Sequence, residues 1–105
     1  DLQGWIAEHP ERDLSVERLA ARAGMSPRNF ARVFRAEVGC TPASYVERVR
    51  VEHARRLLET AALSVEDVAT AAGFGSSETL RRAFARRVGA SPTEYRDRFR
   101  SLQTA

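Results

Sequence analysis

Ser15-Val16-Glu17-Arg18-Leu19-Ala20 is answered by Ser64-Val65-Glu66-Asp67-Val68-Ala69, 49 residues further on. Ala23-Gly24-Met25-Ser26 is answered by Ala72-Gly73-Phe74-Gly75-Ser76. Arg32-Val33-Phe34 is answered by Arg82-Ala83-Phe84, and Val38-Gly39-Cys40-Thr41-Pro42-Ala43-Ser44-Tyr45 by Val88-Gly89-Ala90-Ser91-Pro92-Thr93-Glu94-Tyr95. The offset becomes 50 from Ser26/Ser76 onward, so Gly75 is the one inserted residue. Each copy has a glycine between two helical patterns and an arginine-bearing second helix. That combination reads as a pair of helix-turn-helix units, a motif whose second helix fits a DNA major groove.

The 105 residues suffice for one compact domain or two very small ones. A repeat of roughly 30 to 40 residues buries too little apolar surface to stand alone without metal or disulfides. The halves therefore need a shared element, and the segment between them is the candidate. With Cys40 as the only cysteine, no intramolecular disulfide can form, which fits a reducing, cytoplasmic setting. No run approaches the ~20 apolar residues of a membrane span, and the start does not resemble a signal peptide. The chain begins at Asp1 rather than Met, so it reads as a fragment of something longer or as a processed product, with any N-terminal regulatory domain out of view.

Net charge is +3, and all 17 basic side chains are arginine. Arginine presents a planar fork of donors that matches phosphates and guanine edges. Genome composition accounts for much of a missing lysine. It does not account for where the arginines sit.

Helix breakers and caps divide the chain into seven helices and no strands. Leu2 to His9 places Leu2, Trp5 and Ile6 on one face and stops at Pro10. Ser15 caps a helix to about Ala23, with Gly24 at its C-terminal end. Ser26-Pro27 opens a helix to about Val38, and Thr41-Pro42 a long one to about Glu59. Ser64 caps a helix to about Ala72 and Ser76 one to about Val88. Ser91-Pro92-Thr93-Glu94 is a capping box opening a last helix to about Phe99, with Arg100 to Ala105 frayed. The long helix spans roughly 27 Å. Its apolar residues Tyr45, Val46, Val49, Ala54, Leu57 and Leu58 are expected to dock on both repeats and fix their orientation. The expected organisation is a single domain over 1–105, with a first unit 1–41, a linker helix 42–60 and a second unit 61–105.

At 100° per residue, Phe30, Val33, Phe34 and Val38 gather on one side of the 26–38 helix. Arg28, Arg32 and Arg35 fall opposite, in a stripe drawn to polyanions. In the 76–88 helix Leu80, Ala83, Phe84 and Val88 turn inward. Arg82 takes the phase of Arg32, Glu78 that of Arg28, and Arg81 and Arg86 flank the stripe. A shared core grammar with differing outward residues suits two readers of different base pairs. Any single arginine is by default a solvated charge with weak i,i+4 pairing. The combined pattern is what points to a duplex.

Chemistry of other kinds finds little purchase. His9, His53 and Cys40 form no HExxH or CxxC motif, and neither a glycine-rich phosphate loop nor a nucleophile elbow occurs. The chain reads as no enzyme, with no cofactor and no metal. His53 is expected at the surface or partly packed, Cys40 incidental in a turn, and Trp5 a core or helix-anchoring residue rather than a stacking platform. Met25 and Phe74, matched at each turn, are expected as plugs between helices. The alternative function is a helical protein-interaction module docking onto RNA polymerase or an acidic partner. It implies no salt-dependent duplex binding, and the outward arginines of both repeats argue against it as the sole role.

With these residues placed, the chain resembles the DNA-binding domain of AraC/XylS-family transcription regulators, from about Trp5 to Phe99. The resemblance is carried by Val65-Glu66-Asp67-Val68-Ala69-Thr70-Ala71-Ala72-Gly73-Phe74, then Leu80-Arg81-Arg82-Ala83-Phe84, Gly89, Ser91-Pro92 and Tyr95-Arg96. Arg50, Ala54, Leu57 and Leu58 are similar to the family's central helix. Met25-Ser26-Pro27-Arg28-Asn29-Phe30-Ala31-Arg32 and Gly73-Phe74-Gly75-Ser76 look most like the GlxA-type branch, whose members carry a PfpI-like, amidotransferase-like N-terminal domain.

The resemblance implies seven helices in two helix-turn-helix subdomains, with the third and sixth helices entering adjacent major-groove segments of double-stranded DNA. Positions matching its DNA contacts are Arg28, Asn29, Ala31 and Arg32 in the first unit and Ser77, Glu78, Thr79 and Arg82 in the second. Arg35, Arg81 and Arg86 join them from the helix faces. Ala31 departs from the longer polar residue often found there and offers an apolar contact, for example to a thymine methyl. Glu78 is acidic where a neutral amide is common. It could accept from a cytosine amino group or orient Arg81 or Arg82. Beside the DNA, the expected partners are RNA polymerase and the N-terminal regulatory domain, with no membrane.

Overall fold

Serine starts four of the helices in the same way. The hydroxyls of Ser15, Ser26, Ser64 and Ser76 accept the backbone N–H three residues on, at 3.3, 3.2, 3.0 and 3.2 Å. Each satisfies a donor that the first helical turn leaves without a partner. Thr41 does the same for Ser44 at 3.2 Å. Ser91 and Glu94 close a full capping box, Ser91 Oγ accepting from Glu94 N at 3.1 Å and Glu94 Oε1 from Ser91 N at 2.9 Å.

The computed structural model describes residues 1–104. Its elements are α1 (Leu2–Glu8), α2 (Val16–Ala23), α3 (Pro27–Val38), α4 (Pro42–Thr60), α5 (Val65–Ala71), α6 (Ser77–Val88) and α7 (Pro92–Thr104). Among the described residues there is no strand. The expected frayed end is corrected. Helix α7 runs five residues past Phe99, to Thr104, because Arg100-Ser101-Leu102-Gln103-Thr104 contains neither Pro nor Gly to stop it. Ala105 lies outside the described residues.

Both helix-turn-helix turns use a Schellman closure. Gly24 stands at φ 70° while Met25 N–H bonds Ala20 O at 2.9 Å and Gly24 N–H bonds Ala21 O at 3.1 Å. Gly73, at φ 91°, repeats it, with Phe74 N–H to Ala69 O at 2.8 Å and Gly73 N–H to Thr70 O at 3.1 Å. The inserted Gly75 is also left-handed, at φ 79°. The turn side chains differ. Phe74 is half-buried against its core, whereas Met25 is exposed, so it is not the plug expected.

The chain divides into two compact units between Val49 and Arg50, within α4. In the first, Ile6, Leu14, Leu19, Ala20, Phe30, Phe34 and Val46 form the core. In the second, Val51, Ala54, Leu58, Val68, Ala69, Ala72, Leu80, Ala83 and Phe84 do. Helix α4 thus donates Val46 to one core and Val51, Ala54 and Leu58 to the other. The repeat persists in ring packing. Phe34 meets Tyr45 edge-on at 5.6 Å and 67°, and Phe84 meets Tyr95 at 5.5 Å and 73°.

The second unit adds polar ties for α7. Tyr95 hydroxyl donates to Glu59, Arg55 Nε donates to Tyr95 hydroxyl at 3.5 Å, and Arg96 donates to the Leu63 carbonyl. Burial, then the bond to Glu59, pushes the Tyr95 phenol above its ordinary pKa. In the first unit the Arg22 guanidinium carbon lies 3.8 Å from the Trp5 ring centroid, and the His9 ring stacks on Trp5 at 4.7 Å. The cation–π contact ties α1 to α2.

Candidate nucleic-acid interface

Helix α3 buries Phe30 and Phe34 and half-buries Val33 and Val38. Arg28, Asn29, Arg32 and Arg35 are exposed, and Ala31 is half-buried at the edge of that face. Asn29 has a double function. Its backbone N–H is taken by the Ser26 cap, and its side-chain carbonyl accepts from Arg32 Nη2 at 2.7 Å. The amide thereby aims the Arg32 fork without neutralising it. Among the described residues, neither Arg28 nor Arg35 has an ion-pair partner. The acid of α3, Glu37, lines a separate groove with Leu2 and Gln3 from α1. The arginine stripe therefore keeps its positive charge.

Helix α6 buries Leu80, Ala83 and Phe84. Glu78, Thr79, Arg81, Arg82 and Arg86 are exposed, and Ser77 is half-buried. Its arginines are held locally. Arg82 Nη1 donates to Glu78 Oε1 at 2.9 Å, and Arg81 Nη2 donates to Ser77 Oγ at 2.8 Å. The Arg82–Glu78 side chains are 62% and 74% exposed, so the pair is worth only ~0.3–0.5 kcal/mol and a better partner can displace it. Of the two roles open to Glu78 within the helix, it orients Arg82; Ser77 orients Arg81. Thr79 hydroxyl lies 2.9 Å from the capping Ser76 Oγ and is engaged there.

A family profile described as a helix-turn-helix domain matches residues 19–98. The HTH-type transcriptional regulator Rv1931c of Mycobacterium tuberculosis is 55% identical over 84 residues, covering 80% of this chain and 32% of that protein. The transcriptional activator RclR of Escherichia coli is 36% identical over 97 residues, covering 92% and 34%. The crystal structure of the DNA-binding domain of AdpA, in complex with a target DNA, matches with a TM-score of 0.94 and 43% identity over 98% of this chain and 93% of that one. A probable AraC family transcriptional regulator from Rhodopseudomonas palustris matches with a TM-score of 0.80 and 27% identity over 93% of each chain.

The chain belongs to the AraC-type helix-turn-helix family of transcription regulators.

It spans about a third of the length of the curated relatives it matches. As an AraC-type domain it keeps every outward residue singled out in the sequence on α3 or α6, each within one of the two units. The sequence offered Glu78 as a partner of Arg81 or Arg82, but it did not disclose which of the two it takes, nor the Asn29–Arg32 and Ser77–Arg81 pairings. Asn29–Arg32, Ser77–Arg81 and Glu78–Arg82 sit at i,i+3 or i,i+4 spacing, so the signal was present. Rotamers, which sequence does not give, decide which neighbour each arginine takes. Among the described residues no group of three His, Cys, Asp or Glu could hold a metal. Among the described residues no helix is long and apolar enough to cross a membrane.

Proposed function

We propose that this chain is the sequence-reading module of a transcription regulator and binds a specific double-stranded DNA site. The observation that carries the reading is the α3 stripe: Arg28, Arg32 and Arg35 stand exposed opposite buried Phe30 and Phe34. Surface arginines with no acid to pair with lose little on meeting phosphate or guanine. The likeness to an AdpA domain solved on its target DNA supports the same reading. The whole of 1–105 acts as one DNA-binding domain, with α3 and α6 each entering a major-groove segment.

Arg28 and Arg32 read bases in the first segment, with Asn29 steering Arg32 and Ala31 offering an apolar contact. Arg82 reads in the second, with Glu78 and Thr79 beside it. Arg35, Arg81 and Arg86 grip phosphates or groove edges, helped by Ser77 and the amides of the first helical turns. The two units differ outwardly, so one copy occupies an asymmetric site with segments about 10 base pairs apart. The domain carries out no catalysis of its own and works in the cytoplasm, within a longer protein whose N-terminal regulatory domain and contacts with RNA polymerase complete the regulator. The GlxA-type branch is the proposed source of that N-terminal domain.

The test is a salt titration of duplex binding. A domain neutralising six or more phosphates loses roughly a thousandfold in affinity between 50 and 200 mM salt. Affinity that is flat in salt, or no duplex binding at all, contradicts the proposal.

A further inference from the structure

Across the reading faces, the repeat reverses a charge at one position. Arg28 of α3 corresponds to Glu78 of α6. The structure ties Glu78 to Arg82, one turn further along the same face, at 2.9 Å. Resting on the DNA-reading proposal above, we infer that Glu78 is a specificity-determining residue. Its carboxylate selects a cytosine amino group next to the base pair read by Arg82 and rejects the other bases there.

A carboxylate accepts hydrogen bonds and donates none. In the major groove, guanine N7 and O6 and thymine O4 are acceptors, so Glu78 facing them is repelled. Adenine offers an amino donor beside its N7 acceptor, which opposes the second carboxylate oxygen. Cytosine N4 is a donor with no neighbouring acceptor on that edge. Phosphate is excluded by like charge.

Arg82 does not hold Glu78 back from this role. Breaking an exposed i,i+4 pair costs about a twofold factor. A bidentate arginine–guanine contact gains roughly 5- to 150-fold. Once Arg82 turns to guanine, Glu78 loses its partner and stands in the groove unneutralised. Only a base that supplies a donor restores the balance. Residues a helical turn apart are separated by about 5.4 Å along the helix axis, within reach of neighbouring base pairs stacked about 3.4 Å apart. The pair therefore reads adjoining positions together, the arginine a guanine and the carboxylate a cytosine. The first unit, with Arg28 and Arg32 at the same spacing, has no such filter and favours guanine at both.

The experiment selects bound sites from a random duplex library with wild type, Glu78→Gln and Glu78→Ala. Circular dichroism checks that all three are folded. Wild type is expected to show a cytosine column beside the guanine column of the second segment. Glu78→Gln should move that column toward adenine, which a glutamine amide contacts bidentately, with a roughly 5- to 150-fold change in relative affinity. Glu78→Ala should flatten it. The guanine column should persist in both variants. Unchanged columns in both variants overturn the inference while leaving DNA reading intact. So does a variant that weakens the guanine column alone, because Glu78 would then act only by holding Arg82. A wild type that selects nothing overturns the DNA-reading proposal and this role with it.

Discussion

Replacing Arg32 by alanine separates reading from folding. Arg32 is exposed, and the contact its side chain shows is the 2.7 Å hydrogen bond to the Asn29 side chain. A surface contact at i,i+3 on a helix contributes about 0.2–0.5 kcal/mol. Alanine returns a few tenths of that through better helix propensity. The net change in stability is therefore within about 0.5 kcal/mol, and Tm should move by less than ~4 °C. Binding should respond quite differently. Loss of a bidentate contact to guanine removes roughly 1–3 kcal/mol of discrimination, a factor of about 5 to 150, at one base pair. The assay is competition binding with duplexes carrying all four base pairs at each position of the selected site, at two salt concentrations. One column should lose its preference and the others should keep theirs. A uniform loss on every duplex, with a salt slope shallower by about 1, would instead make Arg32 a phosphate clamp. A fall in Tm well beyond 5 °C would make it structural. Either result refutes the reasoning.

Three further outcomes test the scaffold. Phe84→Ala empties a fully buried site in the second core and removes the edge-on contact with Tyr95; chemical denaturation should show a loss of ~3–5 kcal/mol, and a loss below 1 kcal/mol would contradict the packing. Gly24→Ala and Gly4→Ala should differ in sign. A Cβ at Gly24 meets open space but is forced to φ 70°, costing about 1–2 kcal/mol, whereas Gly4 lies within α1, where alanine gains roughly 0.5–1 kcal/mol; thermal melts of the two variants decide it. Acid should destabilise the fold through Asp13 and Glu94. Hydrogen bonds from the backbone of Ser15 and of Ser91, respectively, hold these carboxyls below their ordinary pKa values. A lowered folded-state pKa gives a contribution that is complete above the unfolded value, near 4, and disappears as pH falls through the folded value. Melting wild type and Glu94→Gln between pH 2 and 6 should show a smaller acid decline in the variant.

The fold was legible because local signals agree with one another. Ser15, Ser26, Ser64, Ser76 and the Ser91–Glu94 box each start a helix where the cap rules place it. The inward positions of α3 and α6 follow from the 3.6-residue period, and Phe30, Phe34, Leu80 and Phe84 are buried as that period requires. Val51 was not singled out, yet it is 1% exposed. It sits on a helix whose apolar face passes from one core to the other near Val49, and a single period cannot describe two partners. Met25 failed as a plug because a long, flexible side chain at the turn is not held by local geometry. The end of α7 was misplaced because Arg100, Ser101, Leu102 and Gln103 are exposed and no burial signal marks where a surface helix stops. For the interface, which residues face outward was legible. How Asn29, Ser77 and Glu78 aim the arginines depends on side-chain rotamers, to which hydrophobic periodicity is blind.

Selection of bound sites from a random duplex library by the wild-type domain tests the central claim most directly. The expected result is an asymmetric consensus: two unlike segments about one helical turn apart, guanine-rich where α3 reads, with affinity falling steeply in salt. Recovery of unselected sequence, or of a short palindrome bound by a single copy, would contradict it.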